Sequence, residues 1–254
     1  FAVIVKPEQS GSEINEAATA ISAYIERSTG VKLPVYTVDE LEDVELEPST
    51  VMIQIGEGSY SADVAFIEEV QSLHDDGFIV APNGHQLIIT GSSPVGTRNG
   101  AYAFLEKYVG VTWLFPGEEW TDVPQKNELL MPEKRWTEEP TAFTLRRTMN
   151  MSEKYYGNIR RAWLRQNRTI SASEIKIGHN IFNIFPVEKY GDTEKYPNFY
   201  PNNNPPAPGN HAGWQPCYSN PATVDVAIEH IKQYFANHPN EISFSLAVND
   251  TDGF

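Results

Sequence analysis

Residues 89–120 read ITGSSPVGTRNGAYAFLEKYVGVTWLFPGEEW, and this stretch decides the fold expected for the first half of the chain. Ser93-Pro94 opens a predicted helix that continues through Tyr108, because proline suits the first turn of a helix, and Gly110 closes it. The apolar side chains of this helix recur at helical spacing and define the face expected to be buried: Ala101, Phe104, Leu105 and Tyr108.

Upstream of this helix, strand-like and helix-like segments alternate. Gly77–Ala81 and Gln86–Thr90 are predicted strands, and Pro82-Asn83-Gly84-His85 joins them with the Asn-Gly pair that favours a hairpin. The earlier predicted elements are, in order, strand Phe1–Lys6, helix Ser12–Gly30, strands Leu33–Val38 and Val51–Ile55, and helix Asp63–Leu73. A β-α-β start followed by a hairpin predicts a mixed-sheet α/β domain over residues 1–135.

The charge of the chain limits its partners. Thirty-four acidic residues against 19 basic ones leave a net charge of −15, and no tract rich in Lys or Arg interrupts the pattern. Nucleic-acid binding needs a cationic surface that releases counterions, so we expect no nucleic-acid partner. The densest acidic stretch, Asp39–Glu47, is interpreted as a solvated surface loop, with a metal cage as the alternative.

Composition indicates a globular protein, with 40% hydrophobic residues, 17 Gly and 18 Pro. The longest apolar runs, such as Val51–Ile55, are far shorter than the ~20 residues of a membrane helix, so no membrane span is predicted. No basic start followed by an apolar stretch is present, and we expect any signal peptide to have been removed or left out. The single cysteine, Cys217, excludes an internal disulfide.

A proline-rich connecting segment, Pro116–Pro140, is predicted to end the first domain, with the boundary near Pro140. Beyond it the predicted elements are strand Ala142–Asn150, helix Asn158–Asn167, the apolar-rich segment Glu174–Ile184, loop Tyr196–Pro216, strand Pro216–Ser219, helix Ala222–Asn237 and strand Glu241–Asn249. This order is typical of a (β/α) barrel, but ~110 residues cannot close an eight-stranded barrel, which typically needs ~250. Residues 141–254 are therefore predicted to form the first half of a (β/α)8 TIM-like barrel.

Two sets of motifs resemble known families. The stretch 89–120, with its Gly-x-x-Pro-x-Gly-x-x-x-Gly helix start followed by Gly-Val-x-Trp and Pro-Gly-Glu, resembles the small α/β domain that precedes the catalytic barrel in α-glucuronidases and β-N-acetylhexosaminidases. Downstream, IGHNIF, QPCYSNP and SLAVNDTDGF resemble an uncharacterised bacterial barrel family, classed as a domain of unknown function. The resemblance covers only the front half of such a barrel.

These resemblances imply a carbohydrate-active protein, part of a glycoside hydrolase that acts on a polysaccharide or glycan outside the cell or in the periplasm. A piece of a barrel is expected to be inactive alone and to expose strand edges, so that self-association or a complementing chain becomes a partner. Two alternatives stay open, a non-catalytic glycan-binding protein and a structural accessory domain.

Candidate site residues lie at the four predicted strand ends, because barrel active sites sit at the carboxyl ends of the strands. The resemblance implies an acid at the end of the fourth strand, and Asp250 is the candidate catalytic residue there, as proton donor or hydroxyl anchor. Asn249 stands where hexosaminidases carry the first acid of a pair, which puts substrate-assisted catalysis in doubt. The alternative is that residues 249–253 form a polar turn that caps the next helix.

Further candidates would bind the substrate, and each has a structural alternative. His179 and Asn180 at the second strand end offer hydrogen bonds to hydroxyls, or the histidine is a satisfied structural residue. Arg146 or Arg147 at the first strand end would bind an acidic sugar, or one or both pair with nearby acids. The aromatic candidates, which stack on a sugar ring or pack the long loop, are Trp214 and Tyr218.

Metal and cofactor chemistry is not predicted. The histidines lack helical i,i+4 pairing and have no cysteine partners, so a zinc site is not expected. The predicted partner is a carbohydrate ligand, without metal or cofactor.

Overall fold

The computed structural model describes residues 1–139, 153–169 and 176–250, and the chain divides into two compact units, Phe1–Ser173 and Glu174–Phe254. The strands of the first unit are β1 Ala2–Lys6, β2 Val35–Thr37, β3 Val51–Ile55, β4 Phe78–Asn83, β5 Gln86–Thr90, β6 Thr112–Trp113, β7 Thr121–Asp122 and β8 Trp136–Glu138. Its helices are α1 Ser12–Thr29, α2 Val38–Glu42, α3 Val64–Ser72, α4 Pro94–Phe104 and α5 Glu153–Gln166.

A six-stranded mixed sheet in the order β2-β1-β3-β5-β4-β8 forms the frame of the first unit. Strands β1, β2, β3 and β5 are parallel, whereas β4 runs antiparallel to both β5 and β8. Strands β6 and β7 form a separate antiparallel pair. The predicted mixed-sheet α/β class is confirmed.

Helices cover both faces of this sheet, as the alternation of side chains along β4 requires. Phe78 and Val80 point into the core that contains α1 and α4. Ile79 and Ala81 point to the opposite face, where they pack with Val70 of α3. Beyond Phe104 the helix continues as a π-helical stretch, Leu105–Val109, and ends at Gly110. The predicted apolar face is buried at Phe104 and Leu105, 5% and 0% exposed, and partly buried at Tyr108.

The predicted hairpin between β4 and β5 is present, but Asn83 is its last paired strand residue rather than a turn residue. Gly84 and His85 form its two-residue turn, with Gly84 at φ 59°, a conformation that glycine adopts without strain.

The glycines at the start of α4 allow backbones to approach closely. A Cβ atom on Gly91 would lie 2.4 Å from the carbonyl oxygen of Gly77, and one on Gly96 would lie 2.3 Å from the same oxygen. Ser93 caps α4, because its hydroxyl accepts a hydrogen bond from the Gly96 N–H at 3.0 Å. The motif is therefore a packing device that seats α4 against the turn before β4.

Helix α5 packs against the rest of the first unit, partly through polar contacts. Trp163 Nε1 donates to the carbonyl of Trp113 at 3.0 Å. The Glu16 carboxylate accepts from Tyr102 Oη at 2.7 Å and from Arg165 Nε at 2.8 Å. Burial and the Glu16 charge both raise the pKa of Tyr102. Helix α5, predicted at Asn158–Asn167 as part of the barrel, thus makes its contacts within the first unit.

Two predictions for the first unit need correction, and a third is not tested. Part of the acidic stretch predicted as a loop is helix α2, whose capping box joins Thr37 and Glu40. The proline-rich connecting segment contains β8, which completes the sheet edge by pairing with Phe78–Val80 of β4. The domain boundary near Pro140 lies outside the described residues and stays a prediction.

The second unit contains two short helices and one long helix, with a largely aromatic core. Its helices are α6 Ile181–Ile184, α7 Val187–Tyr190 and α8 Pro221–Asn237, with a 3₁₀ turn at Pro201–Asn203. The buried core is formed by Ile181, Ile184, Phe185, Val187, Tyr190, Phe199, Tyr200 and Trp214.

One isolated parallel bridge, between His179 and Ala247, is the β pairing within residues 176–250. The Lys176 N–H donates to the Ser243 hydroxyl at 2.8 Å rather than to a carbonyl. Side-chain bonds of this kind replace ladder bonds. The predicted strand Glu241–Asn249 is therefore wrong as a regular strand, because it forms a single bridge residue.

The remaining barrel elements are distributed as follows. The predicted strand Pro216–Ser219 is wrong, since these residues form a loop and a turn, and Pro216 has no N–H for a ladder. Ala142–Asn150 and the start of Glu174–Ile184 lie outside the described residues, and the end of the latter is α6. Because residues 179 and 247 pair directly, α8 lies on the crossover between them. The (β/α)8 barrel itself stays a prediction.

Among the described residues, no helix is long and apolar enough to cross a membrane.

Candidate functional site

His179 and Asp250 form a direct side-chain pair in the second unit. Nε2 of His179 lies 3.2 Å from Oδ1 of Asp250, and Nδ1 contacts the carbonyl oxygen of Val248. Because a carbonyl only accepts, Nδ1 carries a hydrogen there. The pair is open to solvent, with the side chains 49% and 83% exposed.

The buried side-chain amide of Gln215 holds Asn249, the residue before Asp250. Asn249 is 2% exposed, and its Nδ2 donates to the carbonyl of Trp214 at 3.0 Å. The Gln215 side chain contacts both the N–H and the carbonyl of Asn249. Within the described residues the Asn249 Oδ1 atom is buried without a hydrogen-bond partner. The backbone that carries Asp250 is thus anchored while its carboxylate faces solvent.

Tyr218 joins the same cluster from the loop before α8. Its hydroxyl donates to Gln215 Oε1 at 3.1 Å, and the side chain remains 51% exposed. Partial burial raises the pKa of the Tyr218 phenol, so the hydroxyl stays protonated at neutral pH. The Tyr218 ring is therefore half exposed and is linked through Gln215 to Asn249, the residue before Asp250.

The polar side-chain atoms of Asn180 and Trp214 form hydrogen bonds within the protein. Asn180 Nδ2 donates to the carbonyl of Ser245 at 2.9 Å, and its Oδ1 accepts from Asn183 Nδ2 at 2.8 Å. Trp214 is 8% exposed and donates to the carbonyl of Asn210 at 2.7 Å. These contacts favour the structural alternative for both residues.

Of the predicted site residues, the structure brings together His179, Tyr218, Asn249 and Asp250. Arg146 and Arg147 lie outside the described residues, and the binding role predicted for them stays a prediction. Gln215, which links Tyr218 and Asn249, was not among the candidates.

Sequence reasoning missed Gln215 because a single amide beside a proline carries no spacing pattern. The available signal was its position, between Trp214 and Pro216 within the QPCYSNP motif.

No group of three or more His, Cys, Asp or Glu side chains within the described ranges is arranged to hold a metal ion.

Residues 115–254, more than half of the chain, match the family model described as a domain of unknown function, DUF4838. The chain belongs to this family. The match includes every described residue of the His179–Asp250 cluster, and it begins within the first unit.

Other comparisons with this DUF4838 chain are partial. A curated relative, the highly reducing polyketide synthase virA of Hypocrea virens, is 30% identical over 99 residues, which cover 38% of this chain and 4% of that protein. The structure of CpGH84D matches with a TM-score of 0.27 and 11% identity over 40% of this chain and 16% of that one. A mutant Streptomyces plicatus β-hexosaminidase in complex with its product GlcNAc matches with a TM-score of 0.28 and 14% identity. This match covers 48% of this chain and 21% of that one. The chain therefore spans a small fraction of each protein.

Proposed function

We propose that this DUF4838 protein is carbohydrate-active and belongs to a glycoside hydrolase that acts on a polysaccharide or glycan. The observation that carries the proposal is the 3.2 Å pair between His179 Nε2 and Asp250 Oδ1. An exposed carboxyl group with an imidazole partner can accept a sugar hydroxyl or hold a proton for a leaving oxygen. The resemblance of residues 89–120 to the small domains of hexosaminidases supports the same class.

Asp250 has the role of proton donor or hydroxyl anchor in this proposal. A protonated carboxyl group would give its proton to the leaving oxygen, whereas the carboxylate would accept a sugar hydroxyl. His179 would then hold the carboxyl group in place through Nε2. The exposed ring of Tyr218 would stack against an apolar sugar face.

A non-catalytic glycan-binding protein is the second candidate, and one observation favours it. Among the hydrogen-bonded residues of this cluster that the structure describes, Asp250 is the one carboxylate. Glycosidases generally use two carboxyl groups, ~5–5.5 Å apart in retaining enzymes and ~6.5–9.5 Å apart in inverting ones.

The surrounding biology is part of the proposal. We propose a bacterial protein that is secreted or periplasmic and takes part in polysaccharide degradation. We also propose a small domain at residues 1–135 and a barrel at residues 141–254. A further proposal is self-association through exposed strand edges, and light scattering of the purified protein measures it.

The test uses the natural protein that carries these residues. It is incubated with a panel of aryl glycosides and polysaccharides, released sugar is measured, and binding heats are recorded in parallel. Sugar release is expected from an enzyme, and binding heat without release from a glycan-binding protein. The absence of both across the panel would contradict a carbohydrate role.

A further inference from the structure

Gln215 is buried and contacts the backbone of Asn249, the residue before Asp250. It is 3% exposed, and its Nε2 donates to the carbonyl of Asn249 at 2.5 Å. The Asn249 N–H donates back to Gln215 Oε1 at 3.3 Å. One side-chain amide thus satisfies both backbone polar groups of the residue before Asp250, as a neighbouring strand would do.

The same oxygen also receives the Tyr218 hydroxyl, at 3.1 Å. A carbonyl-type oxygen has two lone pairs, so it can accept from Asn249 and Tyr218 together. A backbone bond runs alongside, from the Gly213 N–H to the carbonyl of Asp250 at 2.7 Å. The loop residues 213–218 are therefore tied to residues 249–250 by both main-chain and side-chain bonds.

We infer that Gln215 is a positioning residue that holds the Tyr218 hydroxyl and the Asn249–Asp250 backbone in one fixed arrangement. The consequence for sugar binding rests on the proposed function, whereas the arrangement itself does not. Its Nε2 donates to Asn249, and its Oε1 accepts from Asn249 and Tyr218. An apolar side chain of the same size would leave two buried backbone groups of Asn249 unpaired.

The pKa of the Tyr218 phenol reports on its hydrogen bond to Gln215. A purely structural role of Gln215 in packing would not predict the direction in which this pKa shifts. A hydrogen bond to Gln215 Oε1 stabilises the neutral phenol, so its loss in Gln215→Leu should lower the pKa of Tyr218. In Gln215→Glu an ionised carboxylate replaces that acceptor and has no hydrogen for the Asn249 carbonyl, and its repulsion of the phenolate should raise the pKa of Tyr218. The two variants are thus expected to shift in opposite directions.

The measurement is a pH titration of ¹³C-labelled tyrosine followed by NMR. The chain has 12 tyrosines, and Tyr218→Phe identifies the signal of Tyr218. Gln54→Leu is the matched control, because Gln54 is also a buried amide, 7% exposed, and donates to the carbonyl of Ser59 in the first unit. The control should leave the Tyr218 titration unchanged. Gln215→Glu keeps the size and the acceptor, so it carries the test if the leucine variant does not fold.

Identical Tyr218 titrations in the parent protein and in Gln215→Glu would overturn the inference. For any sugar that binds, Gln215→Leu should weaken affinity ~10-fold, the effect of losing one net hydrogen bond, and Gln54→Leu should not. An unchanged affinity in Gln215→Leu would likewise count against the positioning role. If no sugar binds, the proposed function fails while the titration still decides the role of Gln215.

Discussion

Replacement of Asp250 by Asn is expected to lower the catalytic efficiency of the proposed glycoside hydrolase by ~10²-fold or more, the usual contribution of general acid–base catalysis. An amide has the shape of the carboxyl group but holds no transferable proton. Because Asn Nδ2 can still donate to Nε2 of His179, the local geometry should survive the change. The loss should therefore appear in kcat/KM at unchanged thermal stability, measured on a substrate that the panel identifies.

A matched control is available on α8. Asp225→Asn makes the same chemical change on an exposed helix face and should leave kcat/KM unchanged. If Asp250→Asn keeps near-parental turnover, the cluster stays a binding site and Asp250 has no part in the chemistry. In a glycan-binding protein the same substitution would reduce affinity, with no turnover to lose.

The second large effect concerns stability. Gly96→Ala would place a methyl group 2.3 Å from the carbonyl oxygen of Gly77 and 3.0 Å from that of Asp75. Both contacts are to backbone atoms that adjoin β4, so neither neighbour can move away as a flexible side chain would. We expect the free energy of unfolding to fall by about 3 kcal/mol or more, at the upper end of overpacking costs.

Urea unfolding of Gly96→Ala beside Gly11→Ala measures this effect. At Gly11, before α1, a Cβ atom would meet only the flexible Glu13 carboxylate at 3.6 Å, and the backbone is at φ −68°. The control should lose about 1 kcal/mol or less, from the poorer helix cap. Equal stability of Gly96→Ala and the parent would show that α4 is not seated against Gly77.

Local chemistry explains which elements could be predicted. The Ser93-Pro94 start and the Gly110 stop of the long helix have direct conformational causes, as does the hairpin at Gly84, and all three are found in the structure. Strand β8 could not be anticipated, because three residues in a proline-rich segment carry no periodicity, and only pairing with β4 makes them a strand.

In the second unit, local sequence patterns predicted strands that the structure does not form. Glu241–Asn249 alternates apolar and polar residues as a strand does, yet serine side chains take hydrogen bonds that a ladder would use, as at Ser243. The proximity of His179 and Asp250 was expected from a strand count, although one counted strand, Pro216–Ser219, is a loop. The role of Gln215 depends on a tertiary contact with Asn249, which no local pattern encodes.

The most direct test of the proposed site is an NMR titration of the ¹⁵N-labelled histidine rings with a sugar that binds in the panel. Replacement of His179 by Gln identifies its ring signals among those of the six histidines. The His179 signals should move in step with the binding heat, and Asp250→Asn should weaken both responses together. Saturable sugar binding that leaves the His179 and Tyr218 signals unmoved would contradict a carbohydrate site at this cluster.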